Sequence, residues 1–600
     1  MSRNRYSFKR TAHAVLVTAL ALSVVAAVTF GVSCNPAPGG RRTMMMPMRD
    51  GVRLATDIYF PDGANSPWPA ILIRTPYKKE RYAEYTKMFT VHGYVVAVQD
   101  VRGRFASKGD WVPFVREGPD GFDSVEWLAE QDWSTGRIGM IGSSYDGIVQ
   151  YAAAVERPPH LVTIVPNVAV ADMFFSFPYE YGVFSNYSII WANIVESEAT
   201  ADMSGQALQR LRDKDWAGLL GHLPIVELDE RVLGHEVSYY REWIEHFTYD
   251  SYWKQGSSLE KLRELEIPVF VQSGWFDDNT IGSQLAYLQL ARGGNEHVKM
   301  IIGPWGHTPF AESHYRGEFM GEAAMIDLVA LRVRWFDHWL KGIDTGILDE
   351  PLVQLYAMGT NQWLYSDTYP LSQTSFTELY LTSESGAPPQ GGGGRLQLEP
   401  PTSASQFDSY TYDPGNPTPD PFGHLERNEL KSYGPLIDSR ADLLVHDTAP
   451  LEEPLTLAGP ISATLYASSS AKDTDWFITL YQVDTDGDLE RFISRGMIRA
   501  RFRKSMEEPE ALEEHEVYPY TIHLVHTGRT LERGSRLRMV VSSALYPTYS
   551  RNLNTGGHNE LESDYLVADQ RIYRGGEYPS HLVLPVVQIS DERNGGEPGR

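Results

Sequence analysis

The strongest constraint on this chain is an alternation that runs from Thr43 to about Ala169, in which short, purely apolar runs are separated by stretches of helical spacing. Runs of this kind are too short for helices and are apolar on both faces, as strands are when helices cover a sheet from both sides. Residues 70–73, 94–99, 138–141 and 162–165 are predicted strands. Between them, residues 120–130 place Phe122, Val125, Trp127 and Leu128 at helical spacing, with carboxylates at the start, where the helix dipole favours them. Repeated strand–helix–strand units of this sort imply an α/β fold around a mainly parallel sheet.

The pattern breaks after residue 171. Residues 172–258 are rich in aromatics, with amphipathic helical spacing at 207–211 and 239–247 and no convincing strand, and are read as an inserted helical cap. Strand character returns at 268–272 and 298–302, and an amphipathic helix follows at 328–340. The first domain is therefore assigned residues 43–171 and 259–365. A Gly/Pro/Ser-rich stretch at 383–421, containing Gly391 to Gly394, reads as loop or linker. Beyond it, the runs 461–466, 476–483, 521–525 and 537–541 suggest an antiparallel sandwich, and the second domain is assigned residues 366–590. At 600 residues the chain exceeds what one core usually needs, which agrees with two domains.

The chemistry is sought where a strand turns sharply into a helix. Ser144 lies in Gly142-Ser143-Ser144-Tyr145-Asp146-Gly147, after the strand at 138–141 and before a helical stretch beginning near Ile148. A serine hydroxyl attacks only when a base takes its proton, and the base needs a carboxylate to hold its tautomer and stabilise its charged form. In α/β-hydrolases these groups follow in the order Ser, Asp or Glu, His, each just after a strand. Asp277 follows the strand at 268–272, with Asp278 beside it as a rival, and His307 follows the strand at 298–302. One departure is that the second glycine of the common G-x-S-x-G pattern stands one place later, at Gly147. The oxyanion formed in acyl transfer needs placed donors. The Tyr145 amide supplies one; Tyr77, right after the strand at 70–73, is placed to supply another through its phenol, or to be a packing aromatic.

Composition narrows the alternatives. The net charge of −25, with no basic stripe after the first few residues, argues against nucleic acid as a partner. Arg3, Arg5, Lys9 and Arg10 precede an apolar run at about 14–32 with no acidic residue, so residues 1–33 read as a signal peptide and the chain as exported, periplasmic or membrane-anchored. Cys34 stands where a bacterial lipoprotein carries its lipidated cysteine, but Gly31 replaces the usual leucine; lipidation, plain cleavage and an uncleaved anchor are left as alternatives. Cys34 is the only cysteine, so no intramolecular disulfide, Cys-based zinc site or Cys nucleophile is available. Asp484-Thr485-Asp486-Gly487-Asp488 lacks the terminal glutamate of a calcium loop and reads as a polar hairpin turn.

Together these segments resemble the family of cocaine esterase, α-amino-acid ester hydrolases, glutaryl-cephalosporin acylases and X-Pro dipeptidyl-peptidases. The resemblance rests on Arg53-Leu54-Ala55-Thr56-Asp57, Arg74-Thr75-Pro76-Tyr77, Gln99-Asp100-Val101-Arg102-Gly103-Arg104 with Ser107 and Gly109, Gly142 to Gly147, Gly274-Trp275-Phe276-Asp277 and Gly303-Pro304-Trp305-Gly306-His307. It continues through Asp473-Thr474-Asp475, Gly534-Ser535-Arg536-Leu537-Arg538 and Asn552-Leu553-Asn554-Thr555-Gly556. It implies an α/β-hydrolase fold with an inserted helical cap and a C-terminal jelly-roll domain. It also implies Ser144 as nucleophile, Asp277 and His307 completing the triad, and the Tyr77 hydroxyl with the Tyr145 amide as oxyanion hole. The expected partner is a small ester or amide acyl substrate, with no metal or organic cofactor; a homo-oligomer and a lipid anchor are left open. α-Amino-acid ester hydrolases carry acidic residues where this chain has Asn279 and Thr280, which weakens the case for an ammonium-bearing acyl group unless Asp172, Asp278 or Glu180 compensates. An X-Pro dipeptidyl-peptidase is the alternative enzyme, and an inactive scaffold with a jelly-roll binding module the alternative of another class.

Overall fold

The computed structural model describes residues 40–63, 66–197, 214–308, 310–315, 317–383, 393–402, 404–420, 439–487 and 490–589. The predicted leader at 1–33, Cys34, the helical run at 207–211, part of the glycine-rich linker and Asp488 lie outside them.

Ten strands build the first sheet: β1 (Arg41–Pro47), β2 (Arg53–Tyr59), β3 (Trp68–Thr75), β4 (Val95–Asp100), β5 (Ser134–Ser143), β6 (Leu161–Asn167), β7 (Val269–Gly274), β8 (Val298–Gly303), β9 (Val353–Ala357) and β10 (Gln362–Ser366). Their order in space is β1-β2-β4-β3-β5-β6-β7-β8-β9-β10. Pairing is parallel from β4 through β3 to β9, and antiparallel strands close both edges. The central parallel strands carry apolar side chains on both faces because both faces are covered: Ala70 and Leu72 join one core cluster, Ile71 and Ile73 the other. Val95 and Ala97 divide from Val96 and Val98 in the same way.

The cap contains the helices Tyr187–Glu196, Trp216–Leu220, Leu228–Leu233, Ser238–Glu245 and Ser251–Gly256. It also contains a strand pair that spacing did not reveal, Tyr179–Glu180 with Val183–Phe184, because two-residue strands show no periodicity. The cap aromatics Phe174, Tyr179, Trp191, Tyr240 and Trp243 form a core of their own with Phe114 and Tyr145 of the α/β domain.

The C-terminal jelly-roll domain is an eleven-stranded, mainly antiparallel sheet. It closes on itself because His581–Val587 pairs with both Thr374–Ser383 and Leu455–Ser469. Asp484 to Gly487 turn between Asp475–Val483 and Glu490–Arg499, with the Gly487 amide donating to the Asp484 carbonyl at 3.2 Å. Among the described residues no helix is long and apolar enough to cross a membrane.

Candidate active site

Ser144 joins β5 to the helix Tyr145–Val155 with φ 60° and ψ −125°, a conformation that a residue with a Cβ holds only under constraint. The constraint is visible: the Ser144 amide donates to the Asn167 carbonyl at 3.0 Å, and its own carbonyl accepts from Gly147 and Ile148 at 2.8 and 2.9 Å. A Cβ on Gly142 would lie 2.5 Å from that of Asp146, and a Cβ on Gly147 2.5 Å from that of Ala169. The shifted second glycine is thus where the helix start presses against the chain after β6.

Asp277 and His307 follow β7 and β8. The Nδ1 of His307 lies 2.8 Å from Oδ1 of Asp277. A carboxylate can only accept, so Nδ1 carries the proton and Nε2 is left basic. Asp277 is itself fixed: Oδ1 accepts the Asn279 amide at 3.0 Å and Oδ2 the Ser273 hydroxyl at 3.1 Å. Its side chain is buried while that of His307 is one-third exposed, so the pair presents its imidazole outward.

Tyr77 follows β3, and its amide donates to Thr75 Oγ1 at 3.1 Å. Arg104 pins the preceding residue, reaching the Pro76 carbonyl at 3.2 Å and the Val195 carbonyl of the cap at 2.7 Å. The phenol oxygen accepts the Trp191 indole N–H at 3.0 Å and also interacts with Ser144. Burial pushes this phenol well above the ordinary tyrosine range, so it remains a proton donor across working pH. Tyr145, whose amide begins the helix, sends its hydroxyl to buried Glu117 at 2.8 Å and takes the Phe114 amide at 3.1 Å. Behind them, burial pushes the Asp146 carboxyl up to about 7 despite hydrogen bonds from Tyr82 and Thr75.

Tyr77, Ser144, Tyr145 and His307 open onto one cavity of about 260 Å³, whose wall is mostly apolar and includes Phe114, Ile148, Met173 and Trp191. Glu180, Asp278 and Asn279 line the same cavity. Asp172 does not; its carboxylate is held by Tyr249 and Ser257. Glu180 Oε1 accepts the hydroxyl of Tyr549 from the jelly-roll domain at 2.7 Å. Burial works against the charge of Arg495, yet Tyr549, Asp420, Glu180 and Asp278 hold it well above its ordinary value. Spacing revealed neither Trp191 nor Arg495: one lies among the core aromatics of the cap, the other on the strand Glu490–Arg499 far along the chain. A larger hollow of about 570 Å³ in the jelly-roll domain is lined by Phe407, Asp413, Arg440 and Arg571, and no histidine stands among its described lining residues. Among the described residues there is no cluster of three metal-ligating side chains.

The chain is similar to known proteins over most of its length. Residues 50–309 match the family model described as X-Pro dipeptidyl-peptidase (S15 family), and residues 345–583 that of the X-Pro dipeptidyl-peptidase C-terminal non-catalytic domain. The chain is 33% identical over 572 residues to cocaine esterase of Rhodococcus sp. (strain MB1 Bresler), covering 91% of this chain and 98% of that protein. Among solved structures, an aminopeptidase from a marine sediment archaeon, Thaumarchaeota archaeon, superposes with TM-score 0.79 at 25% identity, covering 93% of this chain and 98% of that one. An α-amino acid ester hydrolase superposes with TM-score 0.77 at 26% identity, covering 93% and 100%.

Proposed function

This chain belongs to the X-Pro dipeptidyl-peptidase (S15) family and is a serine hydrolase acting on ester or amide bonds, and on that footing we propose that Ser144 is the nucleophile that carries the acyl group. Nε2 of His307 takes the Ser144 proton as Oγ attacks the carbonyl carbon, and Asp277 stabilises the imidazolium. The phenol of Tyr77 and the amide of Tyr145 hold the oxyanion. The imidazolium then returns its proton to the leaving group, and a water activated by His307 releases the acyl-enzyme by the same steps. The observation that carries this reading is the convergence of His307, held by buried Asp277, with Ser144 and Tyr77 on one cavity.

The cavity volume and apolar wall suit a small acyl group, and an esterase or acylase is the preferred activity. A second reading has specific support. Glu180 and Asp278 stand on the cavity wall with Arg81, and Arg495 interacts with both carboxylates and with Asp420, so three carboxylates are set against two guanidinium groups; a surplus of carboxylate favours a substrate with an ammonium, as an X-Pro dipeptidyl-peptidase requires. Export is part of the proposal and rests on the charged and then apolar sequence of residues 1–33; the mass of the mature N-terminus tests it.

A fluorophosphonate probe should label the wild type and not the Ser144→Ala variant. Labelling that survives the substitution refutes the mechanism. Activity is then compared on p-nitrophenyl esters, α-amino esters and Gly-Pro-p-nitroanilide; hydrolysis confined to the last would replace the esterase reading with the dipeptidyl-peptidase one.

A further inference from the structure

β6 carries none of the proposed triad, yet it lies between the strand that presents Ser144 and the strands that present Asp277 and His307. Its end binds all three loops. The Asn167 carbonyl accepts the Ser144 amide at 3.0 Å. The Asn167 side-chain amide spends both protons across the site, one on Ser143 Oγ at 2.9 Å and one on the Thr308 carbonyl, next to His307, at 3.1 Å. The next residue, Val168, holds the third loop: its carbonyl accepts the side-chain amide of Asn279 at 3.0 Å, and its own amide donates to Gln272 of β7 at 2.8 Å. Asn279 in turn gives its backbone N–H to Asp277.

Two features mark this turn as built for the site. Val168 has φ 45°, a left-handed conformation that a β-branched residue adopts only when its surroundings impose it. Asn167 is 4% exposed, and only a primary amide offers two protons to two acceptors on opposite sides at that reach.

Resting on the reading of Ser144 as nucleophile, we propose that the Asn167–Val168 turn is the brace that sets Ser144, Asp277 and His307 in register, with Asn167 and Asn279 as positioning residues. Asn279 thereby has a role apart from substrate recognition. A carboxylate in its place could not donate to the Val168 carbonyl.

The test uses the full chain. Asn167→Asp keeps the shape but turns a double donor into an acceptor facing two oxygens. It should lower kcat by on the order of 10²-fold with KM little changed, the cost expected when reacting groups lose alignment. Asn279→Asp should lower kcat by the same factor on neutral and on cationic esters alike, whereas a purely substrate-binding Asn279 would give losses in KM that differ between them. Ser143→Ala removes one acceptor and leaves Asn167 intact, so it serves if Asn167→Asp does not fold; it should slow fluorophosphonate labelling. The wild type is labelled in parallel. If the wild type is not labelled at Ser144, the nucleophile reading fails. If it is labelled and folded Asn167→Asp and Ser143→Ala keep pace with it, or if Asn279→Asp acts only through KM, the brace is refuted.

Discussion

Replacing Asp146 by asparagine isolates the cost of burying a carboxyl two residues after Ser144. The residue is 2% exposed; its Oδ2 accepts the Tyr82 hydroxyl, and its Oδ1 meets no donor among the described residues. Burial raises the carboxyl from 3.8 to about 7, with Glu117 adding to the rise and Tyr82, Thr75 and Arg81 opposing it. The folded protein therefore keeps a proton that the unfolded chain gives up near pH 4. Between roughly pH 4 and 7 unfolding releases that proton, so this group's contribution to stability is full below the window and is lost as pH rises through it. At about 1.4 kcal/mol per pH unit, the loss is on the order of 4 kcal/mol. The Asp146→Asn variant has nothing to titrate there. Relative to wild type, it should gain stability by that amount between pH 4 and pH 8. An amide left without an acceptor at the Oδ1 position would shift the whole difference curve by a constant and leave its slope alone. Urea midpoints followed by tryptophan fluorescence across this range give the difference directly. Parallel curves for the two proteins would show that the carboxyl is not held neutral, and the reasoning would fall.

Tyr77→Phe removes the proposed oxyanion donor and leaves the Trp191 indole N–H without its acceptor; kcat should fall by on the order of 10²–10³-fold in steady-state assays while the urea midpoint moves little. An unchanged kcat would return Tyr77 to the role of a packing aromatic. Gly142→Ala places a Cβ 2.5 Å from that of Asp146 and 2.8 Å from the Asp146 carbonyl oxygen, so it should cost about 1–3 kcal/mol and abolish fluorophosphonate labelling. Gly51→Ala, at φ +84° with nothing within 4 Å, should cost about 1 kcal/mol by backbone conformation alone and label normally.

Most of what could be read from sequence was local. β3, β5, β7 and β8 announce themselves because parallel strands buried on both faces carry short, mostly apolar runs, and the candidate site residues follow them in sequence. The edge strands β1 and β2 are harder to see: Arg41, Arg42 and Arg53 are exposed, while Thr56 and Asp57 are buried polar residues, so no clean alternation survives. Thr43 satisfies Asp57 from the neighbouring strand at 2.7 Å, which spacing cannot foresee. The jelly-roll motifs show the same limit. Asp473 and Asp475 are both bound by the Asn552 amide, at 2.9 and 2.8 Å, while Arg501 and Arg499 pair with them. A buried ionic network of this kind is costly to leave with a member missing, and none of its members lines the candidate site.

The substrate pocket was illegible for a different reason: its electrostatics are assembled from both domains. Glu180 comes from the cap, Asp278 from the loop after β7, and Tyr549 and Arg495 from the jelly-roll domain. The last two stand in the part matched by a model called non-catalytic, which describes bond breaking correctly. Yet the Tyr549 hydroxyl fixes the orientation of Glu180 on the cavity wall, and Arg495 is the buried cation that these carboxylates face. In a cavity only partly open to water, such charges are screened less than they would be at the surface. On the proposed mechanism Ser144, Asp277 and His307 transfer the acyl group, and the balance of Arg81 and Arg495 against Glu180, Asp278 and Asp420 sets whether that acyl group is better neutral or cationic. A chain can therefore keep every triad motif and change its substrate through strands hundreds of residues away, which is why neither Asn279 nor Thr280, read alone, could decide the question.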